Sequence, residues 1–251
     1  ALANIIAYTI GAILAFYVLL AGKTRLKLTF RNFRFDFLLI RRIIRIGFFS
    51  SINGIQRSLG NLAFAWLIAP FGTIPVAAHT LCQRVESFLF MPGMGLGASA
   101  GVLVGQNLGA GHPDRAAKSG WMAAAIVTGI MITGGLGLLL WGEEIAGIFT
   151  KEPELIRTTA VFLRIAVTGY LVLGFNNVLA QSISSAGDTL PPMIFNIGMM
   201  WMIQLPLAWA LPEFTGLGVM GVRWAIVIGL YGAAAAFIVY FKLGRWKTKR
   251  V

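Results

Sequence analysis

Four ionisable residues stand inside otherwise apolar runs: Arg57, Arg84, Glu86 and Arg164. A charge in hydrocarbon is costly, so each must pair with another group or face water, and each becomes a candidate for the protein's function. Arg57 lies deepest, and Asn53, Gln56 and Asn61 put polar groups on and around its helical face. His79, Gln83 and Glu86 share a second face, and Asn177, Gln181 and Ser184 a third. Two readings stand: hydrogen bonds between neighbouring helices, or the wall of a water-filled substrate cavity. Met199, Met200, Trp201 and Met202, with Gln204, form a soft aromatic stretch. Thioethers adapt in shape and indole faces attract cations, so this stretch is either ordinary packing or a surface for apolar cations.

Other chemistries find no support. His79 and His112 lie in different regions, without metal-ligand spacing, so no metal site is expected. A phosphate-binding loop ending in Lys118-Ser119 would need glycine at positions 112 and 117, where His112 and Ala117 stand. Gly95-Leu-Gly97-Ala-Ser-Ala100 fits the loose dinucleotide pattern but follows no strand and lies in an apolar run. No nucleophile elbow or zinc-protease motif appears, so no enzyme is indicated. The single cysteine, Cys82, excludes an internal disulfide and reads as a small buried hydrophobe.

The elements that position these residues follow from composition. Hydrophobic residues make up 57% of the 251 and charged residues only 12%, with a mean hydropathy of +0.79. Several nearly charge-free stretches approach the length of about 20 residues that a helix needs to cross the bilayer. They do not alternate, which excludes a β-barrel and makes this an all-α polytopic membrane protein. Apolar runs and their breakers predict seven spans, over about 2–21, 43–69, 75–107, 116–140, 158–184, 189–211 and 217–241. The third is too long for a perpendicular crossing and contains Pro92 beside Gly93, so a kink or strong tilt is expected, with both residues as hinge candidates. Gly109 and Gly111 turn the chain after it and are further hinge candidates, while Pro113 and Asp114 open the next helix.

The net charge of +12 is not spread evenly. Eight of the 21 basic residues fall between Lys23 and Arg45, and five more between Lys242 and Arg250. No aromatic platform accompanies these runs, so no nucleic-acid partner is expected. The acids Glu143, Glu144, Glu152 and Glu154 dominate the loop 141–157. Every second loop is thus basic, which places the 22–45 segment and the C-terminus in the cytoplasm. Trp66, Trp141 and Trp209 fall near outer span ends, and Trp121, Trp224 and Trp246 near loops or inner ends. The chain opens Ala-Leu-Ala-Asn inside an apolar run, so it reads as a piece of a longer protein.

Four blocks carry a family resemblance: FGTIPVAAHTLCQRVESFLFMPGMGLGASAGVLVGQNLGAGHPDRAAKSG, SSAGDTLPPMIF, WMIQLPLAWAL and GLGVMGVRWAI. From Arg42 onward the chain resembles the multidrug and toxic compound extrusion (MATE) transporters, especially the DinF-like prokaryotic branch. The resemblance implies two six-helix lobes that exchange H+ or Na+ for amphipathic, often cationic small molecules by alternating access. Residues 1–21 would then be the last helix of the N-terminal lobe and 22–45 the cytoplasmic linker. Residues 46–241 would form the C-terminal six-helix lobe and 242–251 a basic tail. The implied partners are the lipid bilayer, small-molecule substrates and the missing N-terminal lobe, in the bacterial inner membrane.

Where many relatives carry proline and a carboxylate early in the first helix of this lobe, Phe49 and Asn53 stand here; Asn176 and Asn177 replace an acid in the fifth span. Neutral amides take up no proton and give sodium no charge partner. The coupling site is therefore expected mainly in the other lobe, with no cofactor, and Arg84 as the neighbour that holds Glu86 ionised. Candidate cavity residues are Asn53, Arg57, Gln83, Arg84, Glu86, Asn177, Gln181, Met200 and Gln204. A lipid-linked oligosaccharide flippase, using Arg57, Arg84 and Arg164 to meet diphosphate, and a non-transporting half-protein are the competing readings.

Overall fold

Proline and glycine set the helix ends. Pro113 occupies the first turn of one helix, where its missing N–H costs nothing, and Asp114 adds an acid there. Just upstream, Gly111 turns the chain at φ +75°, a conformation that a side chain strains. The computed structural model describes residues 2–21 and 35–248. Most of the basic segment 22–45 and the last three residues of the tail lie outside the described residues.

Residues Ala1–Ile44 and Arg45–Val251 form two separate units. The first contains α1 (Leu2–Leu20), which is apolar and carries no acidic or basic residue in its end turns. The helix α2 (Phe37–Ile68) belongs to the second unit from Arg45 on. There it is followed by α3 (Thr73–Gly109), α4 (Pro113–Leu140), α5 (Gly142–Phe149) and α6 (Pro153–Ser185). A continuous helical stretch then comprises α7 (Leu190–Gly198), a π-helical segment (Met199–Gln204) and α8 (Leu205–Thr215). It leads to α9 (Val219–Leu243).

Among the described residues, five helical stretches are long and apolar enough to cross a membrane: α3, α4, α6, the α7–α8 stretch and α9. The helix α2 is long enough, but Asn53, Gln56, Arg57 and Asn61 make it too polar to meet that standard. The helix α3, with 37 residues, runs through Pro92 without interruption. At about 1.5 Å per residue it is far longer than the roughly 30 Å of hydrocarbon.

Within the second unit, α6 is the central strut, packed against α3, α4, α5 and α9. Phe162, Leu163, Tyr170, Leu179 and Ile183 of α6 join Val104, Val127, Met131, Phe237 and Phe241 in the main core. Close helix approach depends on small residues. Gly174 of α6 meets the backbone of Thr128 on α4, where an added Cβ would lie 2.7 Å from the Thr128 Cα. A second cluster, built on Phe64, Ile68, Met200, Ala208 and Val222, ties α2 to α8 and α9.

Three expectations are corrected. The acidic loop 141–157 contains a short helix, α5, whose Gly142, Ile145 and Ala146 give it a side that packs on α6. The sixth span is not a uniform helix; its middle widens into the π segment. Trp246 is not an interfacial ring. The chain folds back after α9 and stacks the indole on Phe241 with ring centroids 4.5 Å apart, fully buried. Its Nε1–H donates to the Phe241 carbonyl at 3.0 Å.

Candidate functional site

The three polar faces read from the sequence meet around one cavity of about 590 Å³ in the second unit. From α2 come Asn53, Gln56, Arg57 and Asn61. From α3 come His79, Gln83 and Glu86, and from α6 Asn177, Gln181 and Ser184. Met200 and Gln204 reach it from the π segment. Each group follows the three- and four-residue spacing that stacks side chains on one helical face, which is why the sequence shows them. Apolar residues fill the gaps, including Phe64, Phe90 and Leu173. The result is an amide-rich chamber walled by membrane-length helices.

Side chains join α2 across the chamber to the far wall. Gln56 donates to the Asn196 carbonyl at 3.3 Å and to the Met200 sulfur at 2.8 Å. The Asn196 side-chain amide in turn donates to Asn53 Oδ1 at 3.2 Å. The π segment lies behind these contacts. A Cβ at Gly60 of α2 would collide with Met200, one at Gly229 of α9 with Gln204, and one at Gly232 with Met199. Glycines on two helices therefore make room for the three side chains that the wide turn presents. A π turn inside an α-helix is rare and is frequent at functional sites.

The electrostatic centre is Arg223, a residue the sequence reading passed over. It lies on α9, is 4% exposed, and its Nη2 donates to Glu86 Oε1 at 3.0 Å. The same nitrogen lies 2.8 Å from the Cys82 sulfur, and the guanidinium sits over the Phe162 ring at 5.4 Å. Nη1 lies 3.3 Å from His79 Nδ1. Arginine only donates, so Nδ1 accepts, and the imidazole is neutral with its proton on Nε2. That Nε2 is 3.2 Å from the Gln83 amide. The Gln83 atom facing it is the amide nitrogen, so a proton on His79 Nε2 requires the Gln83 amide to be turned over to present its oxygen. An ionised guanidinium inside a span persists only with such a shell.

Arg84, expected beside Glu86, is exposed and does not line the cavity, because the next position on α3 points away from that face. Arg164 is also outside, where it pairs with Glu143 of α5 at 3.5 Å. Glu86 is not the sole shielded acid, since Asp188 is 5% exposed and receives the Tyr240 hydroxyl. Two further polar groups of the wall, Asn176 and Tyr170, were not among the cavity candidates. Asn176 is buried with its amide nitrogen on the Leu230 carbonyl at 3.0 Å, and its Oδ1 has no partner within the protein. The Tyr170 hydroxyl, also buried, has none either. Arg223 could have been found by its charge alone, four residues inside α9. The hinge candidates separate: Pro92 is exposed, Gly93 packs on Met131, Gly109 ends α3, and Gly111 forms the turn.

Among the described residues, no cluster of three His, Cys, Asp or Glu could hold a metal ion. Cys82 is fully buried and is the one cysteine of the chain. A water-soluble thiol reagent should leave it unmodified in the folded protein and label it after denaturation in SDS; labelling of the folded state would contradict its burial.

A polar chamber inside a bundle of membrane-length helices is the architecture of a polytopic membrane protein. Residues 50–210 match the MatE family profile, and the chain belongs to that family. It is 26% identical to the Thermotoga maritima protein named "Probable multidrug resistance protein NorM", over 84% of this chain and 46% of that protein. It is 28% identical to "Multidrug resistance protein NorM" of Burkholderia vietnamiensis, over 90% of this chain and 50% of that protein. The chain thus spans about half the length of the curated relatives it matches. Its fold matches a MATE transporter crystallised in complex with MaL6, with a TM-score of 0.85 at 21% identity. That match covers 94% of this chain and 53% of the other. A MOP superfamily transporter from Pyrococcus furiosus matches with a TM-score of 0.87 at 19% identity, over 95% and 54% of the two chains.

Proposed function

We infer that these residues form one half of a secondary active efflux antiporter that exports amphipathic compounds from the cell by alternating access. Residues 46–241 are the C-terminal lobe, 1–21 the last helix of the other lobe, and 22–45 the linker between them. The single observation that carries the reading is the chamber: about 590 Å³, polar, and enclosed by membrane-length helices. In a transporter the substrate site lies near the bilayer midplane between two repeats that rock about it. The chain's half-length match to its relatives supports a second repeat outside it. Charge placement supports an inner-membrane orientation with the linker and C-terminus cytoplasmic.

Coupling to H+ or Na+ is assigned mainly to the other lobe. The polar part of the chamber's wall is mostly neutral amide, and its acid, Glu86, is already held by Arg223. Pro92 and Gly93 within α3, with Gly109 and Gly111 at its end, are the hinge points. The flippase reading loses its basis, because Arg84 and Arg164 both lie outside the chamber.

A drug-sensitive bacterial host measures this directly. Cells expressing the full-length protein should accumulate less of at least one dye from a panel of amphipathic cations and anions, and collapsing the ion gradient should abolish the difference. The 251-residue chain alone should export none of them. Export by this chain alone would contradict the two-lobe reading.

A further inference from the structure

We propose that the π segment is a working joint: it stores one extra residue of helix, and passing that residue toward the loop 186–189 turns α7 against the rest of the second unit. The proposal rests on the efflux reading for what the motion serves, and every contact it uses lies within that unit.

The extra residue is visible in the backbone. The Leu205 N–H bonds to the Met200 carbonyl, five residues back instead of four. Such a wide turn amounts to one residue inserted into an α-helix, with regular helix on both sides. Met199 and Gln204, five positions apart, both settle on α9, against Gly232 and Gly229. In a regular α-helix they would stand about 140° apart and could not face one partner helix together. Met200 meanwhile takes the space that Gly60 leaves on α2. Glycines on two helices thus seat the insertion where it now lies.

The setting of α7 is held by amides and ring edges. The Asn196 side chain donates to Asn53 Oδ1, and Gln56 donates to the Asn196 carbonyl. Phe195 lies edge-on between Phe237 and Tyr240, with ring centroids 5.5 and 5.7 Å away. The Tyr240 hydroxyl bonds to Asp188, just ahead of α7. Two glycines leave room for a turn: Gly198, at the junction, has nothing within 4 Å of its Cβ position, and Gly187 takes φ +82° in the loop. Passing the extra residue into that loop advances α7 by one position, about 100° of rotation and 1.5 Å of rise. Ile197 then stands where Asn196 now faces Asn53. An isoleucine side chain offers no hydrogen bond, so the side-chain tie between α2 and α7 opens. Packed helices switch between discrete settings of this kind, not through a continuum. One wall of the chamber therefore moves within a single unit, a motion that rigid rocking of two lobes does not require.

Deletion of Met202 tests the joint, because this residue lies in the wide turn, is 80% exposed and does not line the chamber. Its loss removes the insertion and leaves α7 and α8 in their present frames. The full-length protein without Met202 should therefore unfold at the parental temperature or above. Deletion of Ile126, 55% exposed on the regular helix α4, should prevent folding. Everything beyond it would be turned by about 100°. Spin labels at Ile194 of α7 and Val239 of α9 read the motion itself. The parent in lipid nanodiscs should show two distances differing by up to about 8 Å, and the Met202 deletion one. That variant should bind rhodamine 6G like the parent but transport it at least about tenfold more slowly. A single distance in the parent, two distances that survive the deletion, a Met202 deletion as unstable as that of Ile126, or parental transport without Met202 would each overturn the joint and leave efflux standing. No dye transport by the parent, with two distances that collapse to one on deletion, would overturn the efflux reading and leave the joint standing.

Discussion

Replacing Glu86 with methionine is expected to destabilise the second unit by about 3–5 kcal/mol, the usual cost of leaving a buried charge without its partner. The cost falls on Arg223, which is 4% exposed and cannot turn to water. The reverse change, Arg223→Met, should cost less, because Glu86 faces the chamber and is 12% exposed. The double variant should recover much of the loss, since an ion pair replaced by apolar groups of similar volume is often neutral. Thermal unfolding in detergent, run as a double-mutant cycle, reads all three. Equal losses in the two single variants, simply additive in the double, would contradict a pair that is buried on one side and wet on the other.

Gly174→Ala is expected to cost about 1–3 kcal/mol or more, by overpacking α4 against α6. The added methyl would lie 2.7 Å from the Thr128 Cα, and backbone cannot rotate aside as a side chain can. Gly129→Ala is the matched control on the neighbouring helix α4. Nothing lies within 4 Å of its Cβ position. There the removal of a flexible glycine from a helix interior should stabilise by up to about 1 kcal/mol. Opposite signs for the two variants identify contact, not helix propensity, as the cause. A neutral Gly174→Ala would contradict the close approach of α4 and α6.

The chamber was legible because its residues obey helical periodicity. Asn53 with Arg57, His79 with Gln83 and Glu86, and Asn177 with Gln181 each declare one face within a single helix. That these faces converge requires helix packing, which no local spacing encodes. The partner of Glu86 shows the limit. Arg84 is its neighbour in sequence but points elsewhere on α3, whereas Arg223 is 137 residues away and adjacent in space. The π segment was hidden for a similar reason. Met199, Met200 and Gln204 settle opposite Gly232, Gly60 and Gly229, and only the assembled helices bring those glycines into position. Trp246 read as an interfacial ring because tryptophan favours span ends. It is instead buried by a reversal of the chain after Leu243, where Gly244 takes φ +70°.

The central claim is that the chamber is a water-accessible transport cavity rather than a packed polar seam. Cysteines placed singly at Gln83, Asn177 and Gln204 of the full-length protein test it most directly, because the natural Cys82 is fully buried and leaves a clean background. All three should react with a membrane-impermeant thiol reagent in intact membranes, and a bound amphipathic substrate should slow the reaction. A cysteine at the fully buried Ala124 should stay unmodified. Protection at Gln83, Asn177 and Gln204 alike would contradict the account and make these amides interhelical hydrogen-bonding groups.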